Sequence, residues 1–345
     1  MHLSFDLINS LVIHPYQGVD DPRLKKNLLE ISTKFTKDRD QISDYVSSDE
    51  FVSAYTLFYF PTGFVKFDWV KNRLPTEIVE SMKDMNFIDV GTGPGTYVSA
   101  FLDFVGESYQ GEVKLIESSP AMLNQAKKTI SKLFPYFQGL VEGSQFKGNR
   151  KNILFFGNSF NEIGSSEAKK LILKYEPDLI IFLEPGTKDV FNQIIYFRED
   201  VLGLSYNQVY PCPSSKNCPM KNTDDWCHQI IHTTHHPSIE QLSQIIHKDR
   251  RTMPLIAHVY SKESVELPST RIVRIFPETK FSYEFQVCRD NQLLKFETMK
   301  KHYSKDQKNE LEEMSVGDAL EINIEKTLPD GKIRGQIYSP SSTKK

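Results

Sequence analysis

The chain has 345 residues and a formal net charge of −3; 39 % of its residues are hydrophobic and 12 % aromatic. This composition is typical of a globular protein with one or two domains, and it excludes a disordered chain and a strongly basic nucleic-acid binder. No run of 18 apolar residues occurs, so we expect no contact with a membrane. The first 22 residues carry no Lys or Arg, which argues against a signal or transit peptide and favours a cytoplasmic location.

The N-terminal part, residues 1–82, is predicted to form a helical cap. Asp21-Pro22 begins a helix, since proline is well tolerated in a first turn. Ser48-Asp49 begins a second helix that is rich in aromatic residues and is expected to end at Pro61. We interpret this region as packing on the main domain.

A strand followed by a glycine-rich turn lies at residues 87–96. Phe87–Val90 is apolar apart from Asp89, and the turn reads Gly91-Thr-Gly93-Pro-Gly95 before an apolar helix. Strand, glycine turn and helix form the nucleotide-binding start of a doubly wound α/β sheet. This spacing, with an acid just before the turn, resembles the first motif of S-adenosylmethionine-dependent methyltransferases. A structural turn that binds no ligand is the alternative.

Strands and helices alternate over residues 83–262, which predicts a parallel sheet with right-handed crossovers. Ligands of such sheets bind at the carboxyl ends of the strands, where polar residues occur repeatedly in this chain. The predicted cofactor-binding residues are Asp89, Gly91, Gly93, Gly95, Glu117, Ser118, Asn158 and Glu184. Glu117 follows the second strand and is placed to accept hydrogen bonds from ribose hydroxyls.

Residues for methyl transfer are less well defined. A methyltransferase that acts on a base nitrogen usually carries an Asn or Asp followed by two prolines and an aromatic residue. The corresponding stretch here is Asn158-Ser-Phe-Asn161, which has no proline. Asn158, Asn161 and Glu162 are candidates for substrate contact, and polar residues that end a strand are the structural alternative. The sequence leaves catalysis open.

The pattern becomes β-rich over residues 263–338, which predicts a small, mainly β C-terminal domain. Residues 339–345 are rich in Ser and Lys and are predicted to be disordered.

Four cysteines occur in the chain. Cys212, Cys218 and Cys227 lie in a loop over residues 211–228, and Cys288 lies in the C-terminal domain. The spacing is wider than that of a zinc knuckle. Two of the cysteines precede proline, as in bacterial iron–sulfur sequences. An iron–sulfur cluster, a zinc ion with His228 as a substitute ligand, and unligated thiols are the three possibilities that the residues leave open.

The cysteine loop, Cys-Pro-x₄-Cys-Pro followed by Asp-Trp-Cys-His, resembles the Rsm22 family of methyltransferase-like small-ribosomal-subunit proteins. Glu184-Pro-Gly-Thr187, the helical region from Ser48 and Gly317-Asp318 are similar to the same family. The resemblance implies a Rossmann-like class I methyltransferase sheet that binds S-adenosylmethionine. It also implies a [4Fe–4S] cluster on Cys212, Cys218, Cys227 and Cys288, and binding to small-subunit ribosomal RNA during assembly.

Three functions follow as hypotheses. The first is an active RNA methyltransferase. The second is a catalytically inactive ribosome assembly factor that uses S-adenosylmethionine and the cluster structurally, and the third is a small-molecule methyltransferase with a zinc site. Basic residues near the cysteines favour the RNA-related functions, although a solvated surface would also explain them: Lys248, Arg250, Arg251, Arg271, Arg274 and Lys280. We expect a monomer.

Overall fold

The computed structural model describes residues 3–37, 48–143 and 146–340. The chain divides into two compact units. Unit 1 comprises residues 1–71, 79–159 and 231–253, and unit 2 comprises residues 72–78, 160–230 and 254–345. Each unit is therefore built from three separate segments of the chain.

Unit 1 contains helices from the N-terminal part and from the first half of the α/β region. The helices are α1 Phe5–Leu11, α2 Pro22–Lys37, α3 Asp49–Lys71, α5 Thr96–Val105, α6 Pro120–Leu133 and α9 Pro237–Ile245. A further helix, α4, spans Thr76–Met82. Helix α3 packs against α1, α2, α5, α6 and α9, so it is the central helix of this unit.

Helix α3 does not end at Pro61 as its sequence predicts, but continues to Lys71 with the proline inside it. Thirteen of its residues are buried, including Pro61 itself. Thr62 Oγ1 donates to the carbonyl oxygen of Phe58 at 3.1 Å. A proline inside a helix removes one hydrogen bond and costs about 3 kcal/mol. Burial of the surrounding aromatic side chains offsets that cost, and this burial is not visible in a local pattern.

The strands of unit 1 are parallel and follow the order β3-β2-β1-β4. Their bounds are β1 Asn86–Val90, β2 Val113–Ile116, β3 Leu140–Val141 and β4 Asn152–Gly157. Every residue of β1 is buried. Phe87 stacks on Phe101 of α5 with ring centroids 4.3 Å apart, and this contact fixes the helix that follows the glycine turn.

Unit 2 continues the alternation of helices and strands and then changes strand direction. Strand β8 pairs antiparallel with both β5 and β6. The sheet is therefore mixed, and the prediction of a purely parallel sheet is wrong for this part. The elements are α7 Phe160–Tyr175, β5 Leu179–Pro185, α8 Lys188–Gly203, β6 Asn207–Tyr210, β7 Gln229–His232 and β8 Thr252–Ser261.

The C-terminal part of unit 2 is a closed five-stranded barrel with the strand order β10-β11-β13-β12-β9. Its interior holds a cluster of buried apolar side chains that includes Phe285, Val287 and Phe296. The elements are β9 Thr270–Ile275, β10 Ser282–Arg289, β11 Gln292–Met299, α10 Lys305–Glu312, β12 Ala319–Thr327 and β13 Ile333–Pro340.

Strand β13 is not predicted by the sequence, and the segment predicted to be a disordered tail, 339–345, begins inside it. Residues 341–345 of that tail lie outside the described residues. The predicted fold class is confirmed: a mixed, Rossmann-like α/β sheet with helices is joined to a separate β domain at the C-terminus.

Candidate functional site

Three glycines in the turn between β1 and α5 adopt left-handed backbone conformations. The φ angle is +66° at Gly91, +53° at Gly93 and +86° at Gly95. A Cβ on Gly91 would lie 2.6 Å from the Cβ of Ser159, and one on Gly95 would lie 3.2 Å from the Cα of Ala126. A Cβ on Gly93 would meet no protein atom within 4 Å. Two of the glycines are therefore required for packing, whereas Gly93 is required only by its conformation.

Glu117 joins the glycine turn to the start of α6. Its Oε2 accepts a hydrogen bond from the amide of Gly93 at 2.8 Å, and its Oε1 accepts one from the amide of Ser119 at 2.9 Å. Each carboxylate oxygen retains a further lone pair. The carboxylate is thus held in one orientation and can still accept hydrogen bonds from the hydroxyls of a ribose. Ser118, between Glu117 and Ser119 in the sequence, is exposed.

Asp89 lies beneath the glycine turn and is fully buried. Its Oδ2 accepts a hydrogen bond from Thr92 Oγ1 at 2.7 Å, and the backbone of Val98 also hydrogen-bonds to this carboxyl. Burial raises the pKa of this carboxyl from 3.8 to about 7, because a charged carboxylate loses its hydration there. These contacts tie Asp89 to the turn and to the start of α5, and its role in cofactor binding stays a prediction.

Asn158 follows β4 and has a φ of +57°, a conformation that asparagine tolerates better than most residues. Its Nδ2 donates to the hydroxyl oxygen of Tyr97 at 3.0 Å. Tyr97 was not among the predicted site residues, because an aromatic residue in a helix pattern indicates a core position. The side chain of Asn158 is therefore held in place at the carboxyl end of β4.

The remaining predicted residues belong to unit 2. Asn161 and Glu162 lie in the first turn of α7. Glu184 is fully buried, and its Oε1 accepts a hydrogen bond from the amide of Phe160, the first residue of that helix, at 2.8 Å. A carboxylate at this position also stabilises the positive end of the helix dipole. This contact assigns Glu184 a structural role at the start of α7, and a role in cofactor binding stays a prediction.

Apart from Glu184, the predicted cofactor-binding residues lie in unit 1. The structure gathers them around one turn, at the carboxyl ends of β1, β2 and β4. They are Asp89, Gly91, Gly93, Gly95, Glu117, Ser118 and Asn158.

A second candidate site is a cavity in unit 2 that is lined by all four cysteines of the chain. Its empty volume, including the mouth, is about 620 Å³. Cys212, Cys218 and Cys227 come from the loop after β6, and Cys288 comes from β10 of the barrel. The fold thus brings Cys288 to the other three across 61 residues of sequence. All four cysteines are free of disulfide bonds, and each residue is half-buried.

Burial raises the pKa values of all four cysteine thiols, and neighbouring thiols raise those of Cys212, Cys227 and Cys288 further. Burial raises the pKa of Cys212 to about 11 and that of Cys288 to about 12. Burial also raises the pKa of Cys227 well above its ordinary value, and the three other thiols contribute further to that increase. Four thiolates would repel one another in this cavity. A bound cation would favour their deprotonation, since metal ions bind thiolates rather than thiols.

Two buried arginines lie beside the cysteines. Arg198 donates to Gln208 Oε1 at 3.0 Å and to the carbonyl oxygen of Ser214, in the cysteine loop, at 2.9 Å. Its charge acts to lower the pKa of Cys212. Arg271 lines the cavity and donates to the carbonyl oxygen of Gly317 at 3.2 Å. Arg198 was not predicted from the sequence, because a single arginine in a helix gives no local signal of burial.

The last part of the cysteine loop is fastened by its neighbours in unit 2. Trp226 Nε1 donates to the carbonyl oxygen of Gly186 at 3.2 Å, and the ring of Trp226 stacks on that of His228. Asp225 forms an ion pair with Arg274 of β9. Gly186 belongs to the Glu-Pro-Gly-Thr turn. This turn and the cysteine loop, which both resemble the same family in sequence, are therefore in direct contact.

Within residues 3–37, 48–143 and 146–340, no group of three or more His, Cys, Asp or Glu side chains is arranged to hold a metal ion. The cysteines share a cavity but are not drawn together around one point. The assignment of metal ligands to them stays a prediction.

Comparison with known proteins identifies the family of the chain. The sequence model described as "Mitochondrial small ribosomal subunit Rsm22" matches residues 49–321. The chain belongs to the Rsm22 family. The matched range includes the glycine turn, the cysteine loop and Cys288, and it ends within β12. A search of curated proteins gave no match.

The chain is also similar to solved methyltransferase structures at low sequence identity. A candidate RNA methyltransferase from Pyrococcus horikoshii is 11 % identical (58 % of this chain and 84 % of that chain; TM-score 0.36). A human methyltransferase 10 domain containing protein is 11 % identical (59 % and 83 %; TM-score 0.34). A precorrin-6y C5,15-methyltransferase from Geobacter metallireducens is 15 % identical (55 % and 91 %; TM-score 0.33).

None of the helices in the described ranges is long and apolar enough to cross a membrane. The family is described as mitochondrial, so the cytoplasmic location expected from the sequence stays a prediction, as does the monomeric state.

Proposed function

We propose that this member of the Rsm22 family binds S-adenosylmethionine at the glycine turn of unit 1 and binds small-subunit ribosomal RNA during ribosome assembly. We also propose that a [4Fe–4S] cluster is held by Cys212, Cys218, Cys227 and Cys288. The membership of the family supports the ribosomal part of this proposal, and the two sites described above support the cofactor parts.

The hydrogen bond between Gly93 and Glu117 is the observation that carries the proposal for S-adenosylmethionine. It places an ordered carboxylate beside a left-handed glycine whose outer side has room for a ligand. In this arrangement Glu117 would accept hydrogen bonds from the ribose hydroxyls. The amides at the start of α5 would attract the carboxylate of the methionine part.

The cavity offers four thiols to a metal group, and the chain has no further cysteine. A zinc ion, which binds thiolates at about 2.3 Å in a tetrahedral site, is the alternative to a cluster. A cubane cluster holds its four cysteines farther apart, because each binds a different iron. The donor set of four thiols in one cavity suits this cluster.

When bound, the cluster would supply stability, because metal binding that requires the folded state contributes to the free energy of folding. The four cysteines would hold it, and through Cys288 it would tie the cysteine loop to the barrel. Arg198 and Arg271 would offset part of the negative charge of the thiolates.

The second candidate function is methyl transfer to RNA. The position of Asn158, held by Tyr97 at the end of β4, favours it, because this is where methyltransferases place a polar side chain for the acceptor amine. The absence of prolines after Asn158 and the structural role of Glu184 favour an assembly factor that does not catalyse methyl transfer. We therefore propose the assembly factor first.

Calorimetric titration with S-adenosylmethionine tests the cofactor site. Replacing Glu117 by Ala is expected to weaken binding about 30-fold, since two hydrogen bonds to hydroxyls of about 1 kcal/mol each depend on it. Glu117→Gln keeps the shape and is expected to lose less. The exposed Glu107 gives a matched control, and Glu107→Gln should bind like the wild type. Equal affinities for the wild type and Glu117→Ala would contradict the site.

Ribosomal RNA from cells with and without the protein separates the two functions. A methylated nucleotide that disappears without the protein supports the enzyme. Crosslinks to small-subunit RNA with an unchanged set of methyl marks support the assembly factor. Failure of the protein to cosediment with small subunits or their assembly intermediates would contradict both.

A further inference from the structure

The C-terminal barrel has the topology of an OB-fold. Its first three strands, β9, β10 and β11, form an antiparallel meander. Helix α10 follows the third strand, and β12 and β13 close the barrel through an antiparallel pair with β9 and a parallel pair with β11. This is the strand order 1-2-3-5-4-1 of the OB-fold. Such barrels bind oligonucleotides or oligosaccharides on strands 2 and 3, between the loops that join strands 1–2 and 4–5.

We propose that the outer face of residues 282–286 of β10 and 295–299 of β11, together with Phe281, binds single-stranded RNA; Cys288 and Leu293, farther along the same face, line the cysteine cavity. The proposal rests on the RNA-binding part of the proposed function and names the surface that carries it. Only the first part of β12 and none of β13 fall within the range matched by the family model, so the closure of this barrel is a property seen in the structure of this chain.

The pairing register defines the outer face. Tyr283, Phe285 and Val287 belong to the core cluster of the barrel, so the residues between them on β10 point outwards. Gln286 lies opposite Arg274 of β9 and Lys295 of β11. The result is a row of three polar side chains across three strands.

Members of this row can interact with a ligand. Lys295 is exposed, and the side chain of Arg274 is 41 % accessible beside its partner Asp225. Gln286, between these two cations, is only partly exposed, and its Oε1 is buried. The two cationic side chains that flank it are suited to phosphates.

Basic residues also border the row on the side of the β12–β13 loop. Lys332 in this loop pairs with Glu284 at 2.9 Å, and Arg334 pairs with Glu297 at 2.9 Å. Both carboxylates lie on the same face of β10 and β11. The acids hold the two cations at the edge of the face, where a phosphate could share them.

Phe281 provides a stacking surface at the other loop of the face. It ends the β9–β10 loop, and the residue is 64 % exposed. Its amide donates to Thr279 Oγ1 at 3.1 Å, and its carbonyl oxygen accepts from the amide of Lys300 at 2.9 Å. Lys280 lies 5.6 Å from the ring centroid. An exposed aromatic ring on a fixed backbone beside a cation is the arrangement on which unpaired bases stack.

The charge of the barrel favours recognition by stacking over long-range attraction. Residues 270–340 contain 12 Lys+Arg and 12 Asp+Glu. A duplex, whose bases are already stacked, would gain little from Phe281 and would depend on charge alone. We therefore expect single strands to bind better than duplexes. The dependence on salt should be shallow, with a logarithmic slope of about −2 for two or three phosphate contacts.

Fluorescence anisotropy of labelled decauridylate with the full-length protein tests this proposal. Phe281→Ala is expected to weaken binding about 10-fold, the typical effect of removing one stacking partner. Lys295→Ala should weaken it by a smaller factor and reduce the salt slope by about 0.7. Tyr338→Ala is the matched control: this tyrosine is 67 % exposed in the same barrel but lies on β13, and its variant should bind like the wild type.

The outcomes distinguish this proposal from the proposed function. The RNA face is overturned if wild-type protein does not bind decauridylate, if Phe281→Ala binds like the wild type, or if Tyr338→Ala loses as much affinity as Phe281→Ala. Binding of an oligosaccharide in place of RNA would also overturn it. Cosedimentation of the wild type with small ribosomal subunits is measured separately, so the proposed function can stand when the barrel proposal fails.

Discussion

The glycine turn of unit 1 and the cysteine cavity of unit 2 are two candidate sites built in opposite ways. The turn consists of neighbouring residues, and its main groups are backbone amides and left-handed glycines. The cavity consists of side chains from a loop and from a strand of the barrel, and Cys288 is 61 residues away from Cys227. One site is thus encoded locally, and the other exists only when unit 2 has folded.

This difference affects how each site should respond to mutation. In the turn, a substitution disturbs the backbone conformation and the contacts with adjacent segments. In the cavity, a substitution would remove one of the proposed ligands and leave the backbone unchanged. Substitutions in the two sites should therefore differ in kind and in size.

The largest effect is expected from Cys288→Ser, because it separates the barrel from the cysteine loop at the proposed cluster. The variant should be purified without iron absorbance, and its melting temperature should fall by about 5–10 °C, since metal binding contributes to folding. Absorption spectra, iron analysis and thermal unfolding measure these changes. Ser214→Ala, in the same cavity, is the control and should keep the iron. A Cys288→Ser protein with full iron and unchanged stability would show that the cavity is not a four-cysteine site.

An intermediate effect is expected in the glycine turn, from two substitutions that differ in contact. Gly91→Ala combines a left-handed conformation with a close approach to Ser159, and it should lower the free energy of unfolding by about 3–4 kcal/mol. Gly93→Ala meets no neighbour and should cost about 1–2 kcal/mol, while it weakens S-adenosylmethionine binding. Denaturant unfolding and calorimetry measure the two quantities.

Gly203→Ala, at the exposed end of α8 with no atom within 4 Å of the new Cβ, should be nearly neutral. Equal stability losses for Gly91→Ala and Gly93→Ala would show that contact with Ser159 does not constrain the turn.

An effect of a different kind is expected on the pH dependence of unit 1. The pKa of Asp89 is raised from 3.8 to about 7 by burial, so the folded state binds this proton more tightly than the unfolded state. The stability contributed by the protonated carboxyl is complete below pH 3.8 and is lost as the pH rises towards 7. Asp89→Asn should therefore remove a decrease in unfolding free energy between about pH 4 and 7. Thr92→Val, which removes the hydrogen bond to Asp89, should retain that decrease. Parallel pH profiles for the wild type and Asp89→Asn would contradict this origin.

Sequence reasoning predicted the glycine turn and most strands because each depends on consecutive residues. Gly91, Gly93 and Gly95 are recognisable since few other residues adopt a positive φ. Glu117 was predicted from its distance along the chain, and its hydrogen bond to Gly93 is consistent with that role.

Several features could not be predicted from local patterns. Pro61 lies inside a helix because the residues around it are buried. The carboxylate of Glu184 already accepts a hydrogen bond from the amide of the first residue of α7. Strand β13 was not predicted, since its polar and apolar residues acquire a pattern only beside β11 and β12.

The sequence by itself determined the Rossmann-like fold class, the position of the glycine turn and the four cysteines as a set. These depend on residue type and short spacing, which the chain carries before it folds. The tertiary structure alone decided that all four thiols line one cavity, that Arg198 lies beside them, and that the C-terminal strands close into a barrel with an exposed Phe281. Such contacts join residues that are distant in sequence, and their energies arise only when the intervening chain is ordered.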